Sequence, residues 1–302
     1  MDDLSSGLPS DYIYKLLQFT PRQHHDVYPA IDPSNPELSL AGKVVLVTGA
    51  SRGIGANGIV PSLAKAGATG IVLVATNAEK LKTVELAVRD INPSTRVLVA
   101  AADISNEQSV ASVFESAKET FGRVDILVHN AGIMNQMSNI HEEDATAFWK
   151  QYEINTFGTF LVAQYFIKSL PSPDSPGVII YIGTAASWAR NSSFAGYSGS
   201  KLAAQKLISD IASGYPNITA ISASPGLVET DMLQLRGFDV STPQLVGGAV
   251  VWLSGDRARF LSGRAISVEW DLEDLVARQD EIVKDDLLIM RMAGKFGHEQ
   301  FA

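Results

Sequence analysis

"KVVLVTGASRGIG", residues 43–55, carries an apolar, β-branched run directly into three glycines, Gly49, Gly53 and Gly55. An apolar run of strand length that breaks at glycines and resumes with helical period reads as strand, tight turn and helix. Glycines at such a turn let the backbone approach a pyrophosphate, and the first N–H groups and dipole of the next helix meet its charge. The spacing is GxxxGxG, not the commoner GxGxxG, but the physics is shared. A dinucleotide phosphate loop is therefore expected, formed by Gly49, Ser51, Arg52, Gly53, Ile54 and Gly55. Pro61 and Gly58 predict a kink in the helix that follows.

Downstream, runs of strand length recur between stretches of helical period. Strands are expected at 43–48, 71–75, 96–101, 125–129, 178–183, 218–223 and 265–270. Their nearly continuous apolar character suits a parallel sheet covered on both faces. The intervening segments 77–91, 106–122 and 144–170 repeat apolar residues every three or four positions, with Asn106 and Asp144 as helix caps. The expected fold is α/β: a Rossmann-like, doubly wound, parallel seven-stranded sheet with helices on both faces, a single domain over residues 41–271.

Two segments fall outside that plan. The prolines and polar residues of 1–40 predict an N-terminal extended arm. Residues 272–302 predict a helical tail whose stripe, Leu272, Leu275, Val276, Ile282, Val283, Leu287 and Met290, packs on the body or on a neighbouring subunit.

A net charge of −9 disfavours nucleic acid and anionic membrane surfaces as partners. The lack of cysteine excludes disulfides, thiol catalysis and thiolate metal sites. His24 and His25 have no partners at metal-ligand spacing, so no metal site is expected. The acidic N-terminus lacks the pattern of a secretory signal and no apolar run is long enough to span a membrane, which predicts a soluble cytoplasmic protein.

At the end of the second strand, where a carboxylate would grip the ribose hydroxyls of NAD, stand Ala75, Thr76 and Asn77. No carboxylate is there to repel a 2′-phosphate, and Arg52 is placed to pair with one. The reading favours NADP(H) over NAD(H).

"TAASWARNSSFAGYSGSK", residues 184–201, ends with Tyr197 and Lys201 four positions apart, on one face of a helix. Behind a nucleotide loop, this pair resembles the short-chain dehydrogenase/reductase superfamily, in its group with a TGxxxGxG loop and an Asn, Ser, Tyr, Lys tetrad. The resemblance covers about residues 40–270. "AADIS" matches the adenine-side turn, which implies Asp103 and Ile104 beside the adenine. "HNAG" matches the motif that backs the cofactor, Asn130, Ala131 and Gly132, with His129 for the more usual Asn. "NTFGTF" places Asn155 at the tetrad's Asn, and "SPGLVET" implies Pro225, Gly226, Val228 and Thr230 along the nicotinamide. The tetrad's Ser, thirteen residues before the Tyr, is here Thr184, with Ser187 the alternative hydroxyl. A β-branched threonine keeps the hydroxyl and adds a methyl to the pocket.

The resemblance implies hydride transfer between NADP(H) and a ketone or secondary alcohol, with ketone reduction in biosynthesis as the expected direction. In it, Tyr197 passes the proton, Lys201 lowers the phenol pKa and holds the ribose, Thr184 holds the substrate oxygen, and Asn155 binds a water that links Lys201 to solvent. Trp149, Trp188 and Phe194 fit either a pocket wall or the core. The ending "VEWDLEDL", where many relatives carry "VDGG", leaves the pocket wall open. The long arm and this ending look like a branch met among filamentous fungi, often in secondary metabolism. The family implies a small-molecule carbonyl substrate and a homodimer or homotetramer. Two other readings stay open on the same scaffold: a non-redox isomerase, dehydratase or cyclase, and a nucleotide-sensing binding protein.

Overall fold

The computed structural model describes residues 9–135, 137–172, 174–189, 192–232, 237–294 and 297. Seven parallel strands form one sheet: β1 Val44–Thr48, β2 Gly70–Ala75, β3 Arg96–Ala101, β4 Ile126–His129, β5 Gly177–Ile182, β6 Ile218–Ser224 and β7 Ala265–Ser267. Their order is β3-β2-β1-β4-β5-β6-β7. The direction of winding reverses between β1 and β4, so their C-terminal ends splay the following loops and open a crevice where doubly wound folds bind nucleotides. β7 stops three residues earlier than the pattern predicts, because the chain turns at Ser267 with Trp270 N donating to Ser267 O.

Alternation along the strands builds two cores. Val45, Val47, Ile71 and Leu73 join one apolar cluster, and Val44, Leu46, Val72 and Val74 join the other. This two-sided burial explains the unbroken apolar runs. The first face is covered by α2 Val60–Lys65, α3 Ala78–Ile91 and α8 Pro243–Leu253, the second by α4 Glu107–Phe121, α6 Gly158–Ser169 and α7 Ala195–Gly214. Asn106 accepts from Ser109 N, and Asp144 accepts from Ala147 N at the start of α5 Ala145–Tyr152.

The kink expected near Pro61 takes the form of a π turn over Gly55–Ile59, with Pro61 in the first turn of α2 where its missing N–H costs nothing. A second π turn, Glu153–Phe157, joins α5 to α6 and carries Asn155.

The described part of the arm is not extended throughout. It holds helix α1 Tyr12–Leu16 and 3-10 turns at Pro29–Ile31 and Pro36–Leu38. It lies on the body, where Gln23 bridges Trp270 antiparallel and Arg22 pairs with Asp271 and Asp274. The tail is two short helices, α9 Leu272–Ala277 and α10 Gln279–Lys284, broken at Arg278. Leu272, Leu275 and Ile282 are fully buried, whereas Val283 and Met290 are exposed, so the single stripe does not hold along its length. Residues 1–8, 295–296 and 298–302 lie outside the described residues. Among the described residues, no helix is long and apolar enough to cross a membrane.

Candidate active site

β1 delivers the chain to Gly49, whose φ of +66° places it in the left-handed region. A Cβ on Gly49 would stand 2.8 Å from Ala131 Cα, and one on Gly55 would stand 2.2 Å from Gly49 O. The turn is therefore folded on itself and pressed against the segment after β4. Asn130 fixes it there: its Nδ2 donates to Gly49 O at 3.1 Å and to Thr48 O at 3.3 Å. A glycine cradle at the mouth of the β1/β4 crevice fits a pyrophosphate, and no bulkier side chain is tolerated at Gly49 or Gly55.

The other expected cofactor residues surround this cradle unevenly. Ser51 and Ile54 are half-buried and Arg52 is exposed, its Nη1 3.7 Å from Asp231 Oδ2. Thr76 and Asn77 are exposed at the end of β2, and Asn77 Oδ1 is committed to capping α3 through Lys80 N. Asp103 is exposed and accepts from Ser105 N and Oγ, while Ile104 is buried against Gly158. Gly132 packs beside Asn155 Oδ1 and Lys201 Nζ. After β6, Pro225 and Gly226 are half-buried and Thr230 lies against Gly53. Val228 is 4% exposed within the core, so its side chain is not on an open surface.

The tetrad residues come from three elements. Tyr197 and Lys201 share the first turns of α7, Thr184 follows β5, and Asn155 sits in the π turn. The Thr184 hydroxyl accepts from Ala186 N at 3.2 Å and is near enough to the Tyr197 phenol to lower its pKa. Burial pushes that phenol up to about 12, and the Thr184 bond pulls it partly back. Ser187 Oγ is buried with no partner among the described residues, so Thr184 is the hydroxyl that meets Tyr197. Lys201 Nζ donates to Ile182 O at 2.7 Å and lies 4.3 Å above the Tyr181 ring. Burial lowers its pKa to about 7. One ammonium proton goes to the Ile182 carbonyl, and two donors remain for other partners.

Asn155 is held on both sides of its amide. Its Oδ1 accepts from Ile133 N and its Nδ2 donates to Ile133 O, both at 2.8 Å, and Nδ2 also donates to Ser200 Oγ at 3.0 Å. Both amide protons are used within the protein, so the side chain brackets the 132–133 segment onto α7, and a water could reach it only by donating to the second lone pair of Oδ1. Trp149 is 66% exposed and so not part of the core, and Trp188 Nε1 donates to Gln205 Oε1.

His129 is a residue whose role the motif alone did not disclose. Asn130 N and Ala131 N both donate to Thr48 Oγ1 at 3.1 Å, and Thr48 Oγ1 lies 3.1 Å from His129 Nδ1. His129 Nε2 lies 3.0 Å from Thr159 Oγ1, which donates to Asn155 O at 2.6 Å. Since the Thr159 proton is already spent, Nε2 must donate and Nδ1 must accept, and Thr48 supplies the proton to Nδ1. One imidazole tautomer therefore connects the crevice floor to the Asn155 turn. Burial, aided by the Lys201 charge, lowers the His129 pKa to about 3. Nitrogen-15 NMR is expected to report a neutral Nε2–H imidazole at pH 5. The unfolded chain binds one more proton than the folded one between about pH 3 and 6.5, so stability falls on acidification there by up to about 1.4 kcal/mol per pH unit. A His129→Asn variant is expected to lose that slope in urea titrations.

A family model described as short chain dehydrogenase matches residues 43–239. The short chain dehydrogenase andI of Emericella variicolor is 33% identical over 290 residues, 93% of this chain and 98% of that protein. The short chain dehydrogenase pigC of Monascus ruber is 31% identical over 293 residues, 93% and 94% of the two chains. Among solved structures, a 3-ketoacyl-(acyl-carrier-protein) reductase from Brucella melitensis complexed with NADH aligns with a TM-score of 0.69 at 26% identity, over 76% of this chain and 98% of that one. Levodione reductase aligns with a TM-score of 0.70 at 24% identity, over 75% and 96%, and speaks for the fold alone. With a match that spans the glycine cradle, Tyr197, Lys201 and the segment after β6, the chain belongs to the short-chain dehydrogenase family, enzymes that oxidise or reduce small molecules with a nicotinamide cofactor.

Proposed function

We propose that the protein is an NADP(H)-dependent reductase of a ketone, acting in biosynthesis in the cytoplasm. The observation that carries this reading is the Thr184–Tyr197 hydroxyl pair, set one helical turn from the buried amine of Lys201. When bound, the nicotinamide supplies the hydride. The chain supplies proton and position. A phenol pushed up to about 12 keeps its proton at neutral pH and has one to give to a carbonyl oxygen as negative charge develops there. Thr184, oriented by Ala186 N, holds that oxygen against Tyr197. Lys201, when charged, makes loss of the phenol proton less costly and supplies a donor for the ribose.

Gly49, Ser51, Arg52, Gly53, Ile54 and Gly55 would hold the pyrophosphate and 2′-phosphate. Thr76, Asn77, Asp103 and Ile104 would bound the adenosine. Asn130, Ala131, Gly132, Pro225, Gly226, Val228 and Thr230 would shape the nicotinamide side, Val228 through the backbone. The test is to mix purified protein with NADPH and a panel of ketones and follow the reduced nicotinamide by absorbance. Binding without consumption across a broad panel would instead favour the non-redox or sensing readings.

The preference for NADP(H) rests on Arg52. Its pairing with Asp231 is long and exposed at both ends, hence weak, and leaves the guanidinium available to a phosphate. Arg52→Ala is expected to reduce the NADPH-over-NADH preference roughly 10-fold in fluorescence titrations. A homo-oligomer is supported by the exposed aromatic side chains of the α5–α6 face: Trp149, Phe157 and Phe160, the last two stacked at 6.2 Å. Sedimentation velocity is expected to give a dimer or tetramer, and a monomer for Phe157→Glu.

A further inference from the structure

The arm reaches the active site through a buried carboxylate. Glu269 follows β7 and is 3% exposed. Its Oε1 accepts from Ser241 Oγ at 2.9 Å and from Leu227 N at 3.2 Å, and its Oε2 accepts from Ser267 Oγ at 3.2 Å. It lies directly beneath Gly226, whose φ is +74°, and a Cβ there would stand 1.8 Å from Oε1. Ser241 N also donates to Leu227 O at 2.7 Å, so Ser241 and Glu269 together hold both peptide groups of Leu227.

Ser241 and Glu269 are in turn held by the arm. Tyr14, 3% exposed, donates to Asp239 O at 3.0 Å and lies 3.2 Å from Ser241 Oγ. The Ser241 proton goes to the carboxylate, so the single Tyr14 proton is shared between Asp239 O and Ser241 Oγ. His25 packs edge-on against the Tyr14 ring at 4.0 Å. Main-chain bonds fix the same strip: Asp239 N donates to Ser10 O, Thr242 N to His25 O and His24 N to Glu269 O. A feature that only clasped the termini together would not need a hydroxyl chain ending on the Leu227 amide.

We propose that arm residues 10–28 are a working part of the active site, in which Tyr14, through Ser241 and Glu269, is a positioning residue for the Pro225–Leu227 turn and thereby for the nicotinamide. This rests on the reading above that the turn borders the nicotinamide. Tyr14 touches no reacting atom and acts only through the turn. The ending "VEWDLEDL" then has a use: Glu269 stands where "VDGG" carries the shorter Asp and reaches the turn, while the departing Trp270 and Asp271 hold the arm through Leu17 O and Arg22.

The experiment compares wild type, Tyr14→Phe and Ser241→Ala by hydrogen exchange at residues 226–228, by NADPH titration and by steady-state kinetics on a reducible ketone. Tyr14→Phe keeps the ring on His25 and removes one oxygen. The expected result is faster exchange at Leu227, NADPH affinity and KM changed about 3- to 10-fold with kcat within about two-fold, and the same shifts in Ser241→Ala without addition in the double variant. Ser241→Thr, which keeps a hydroxyl, is expected to restore them. If Tyr14→Phe folds poorly, Ser241→Ala carries the same readouts from the body side. A loss of thermal stability with unchanged Leu227 exchange and unchanged NADPH affinity would overturn the proposal and leave the arm a structural clasp. If wild type binds no nicotinamide cofactor, the functional reading fails; the exchange at Leu227 then decides separately whether the arm governs the turn.

Discussion

Tyr197→Phe is expected to slow NADPH-dependent ketone reduction by about 10²- to 10⁴-fold while leaving NADPH affinity within about two-fold. The change removes one oxygen and no packing volume. That oxygen is the one whose pKa the Thr184 hydroxyl lowers. Thr184→Ala is expected to lose less, because the phenol then keeps its proton but loses the group that holds the substrate oxygen beside it. Thr184→Ser, which restores the usual residue and frees χ1, is expected to retain activity and broaden the range of ketones accepted. Stopped-flow measurement of single-turnover NADPH oxidation checks all three. Unchanged turnover in Tyr197→Phe would remove the proton donor from the mechanism and favour a different chemistry on this fold.

The sheet was legible because strand alternation and glycine turns are local signals. Val44 to Thr48 and Gly70 to Ala75 report both faces of the sheet in their own composition, and strand–glycine–helix succession fixes the winding. Tyr197 and Lys201 were legible for the same reason, since a four-residue interval on a helix already places them on one face, whereas Thr184 and Asn155 came only from the family resemblance. What each side chain bonds to was not. That Asn155 also ties Ile133 to Ser200 appears only once the fold brings both to its amide. That Lys201 also donates to the Ile182 carbonyl, and how far it is buried, appear only in the fold. That Asn77 also caps a helix and that the Val228 side chain lies in the core appear only in the fold. The arm was least legible, because its order comes from contacts more than two hundred positions away, such as Tyr14 with Ser241 and Arg22 with Asp274. No window of sequence contains both partners. The break in the tail escapes the sequence for a related reason: apolar periodicity runs through Arg278, but the Arg278 guanidinium bonds Phe19 O and Glu281, and the helix is interrupted there.

Lys201→Met is expected to move stability and activity in opposite directions. An amine lowered to about 7 by burial, from 10.5, is held in the folded protein at a cost whenever it is charged. Between those two values the unfolded chain binds the additional proton, so the stability of the native protein rises with pH through that window, by up to about 1.4 kcal/mol per unit. Met fills the same space without a charge, and its thioether packs on the Tyr181 ring that the amine now overlies. The variant loses the bond to Ile182 O, which offsets part of the gain. The net expectation at pH 7 is a Tm higher by roughly 5 °C, with the pH dependence between 7 and 10 flattened. Turnover is expected to fall by about 10²-fold or more, because the phenol must then release its proton with no cation near it. A rise in Tm with a loss of rate identifies the amine as a group kept for chemistry at the expense of the fold. A fall in both would mean that the Ile182 bond outweighs the burial of the charge and that Lys201 is part of the scaffold.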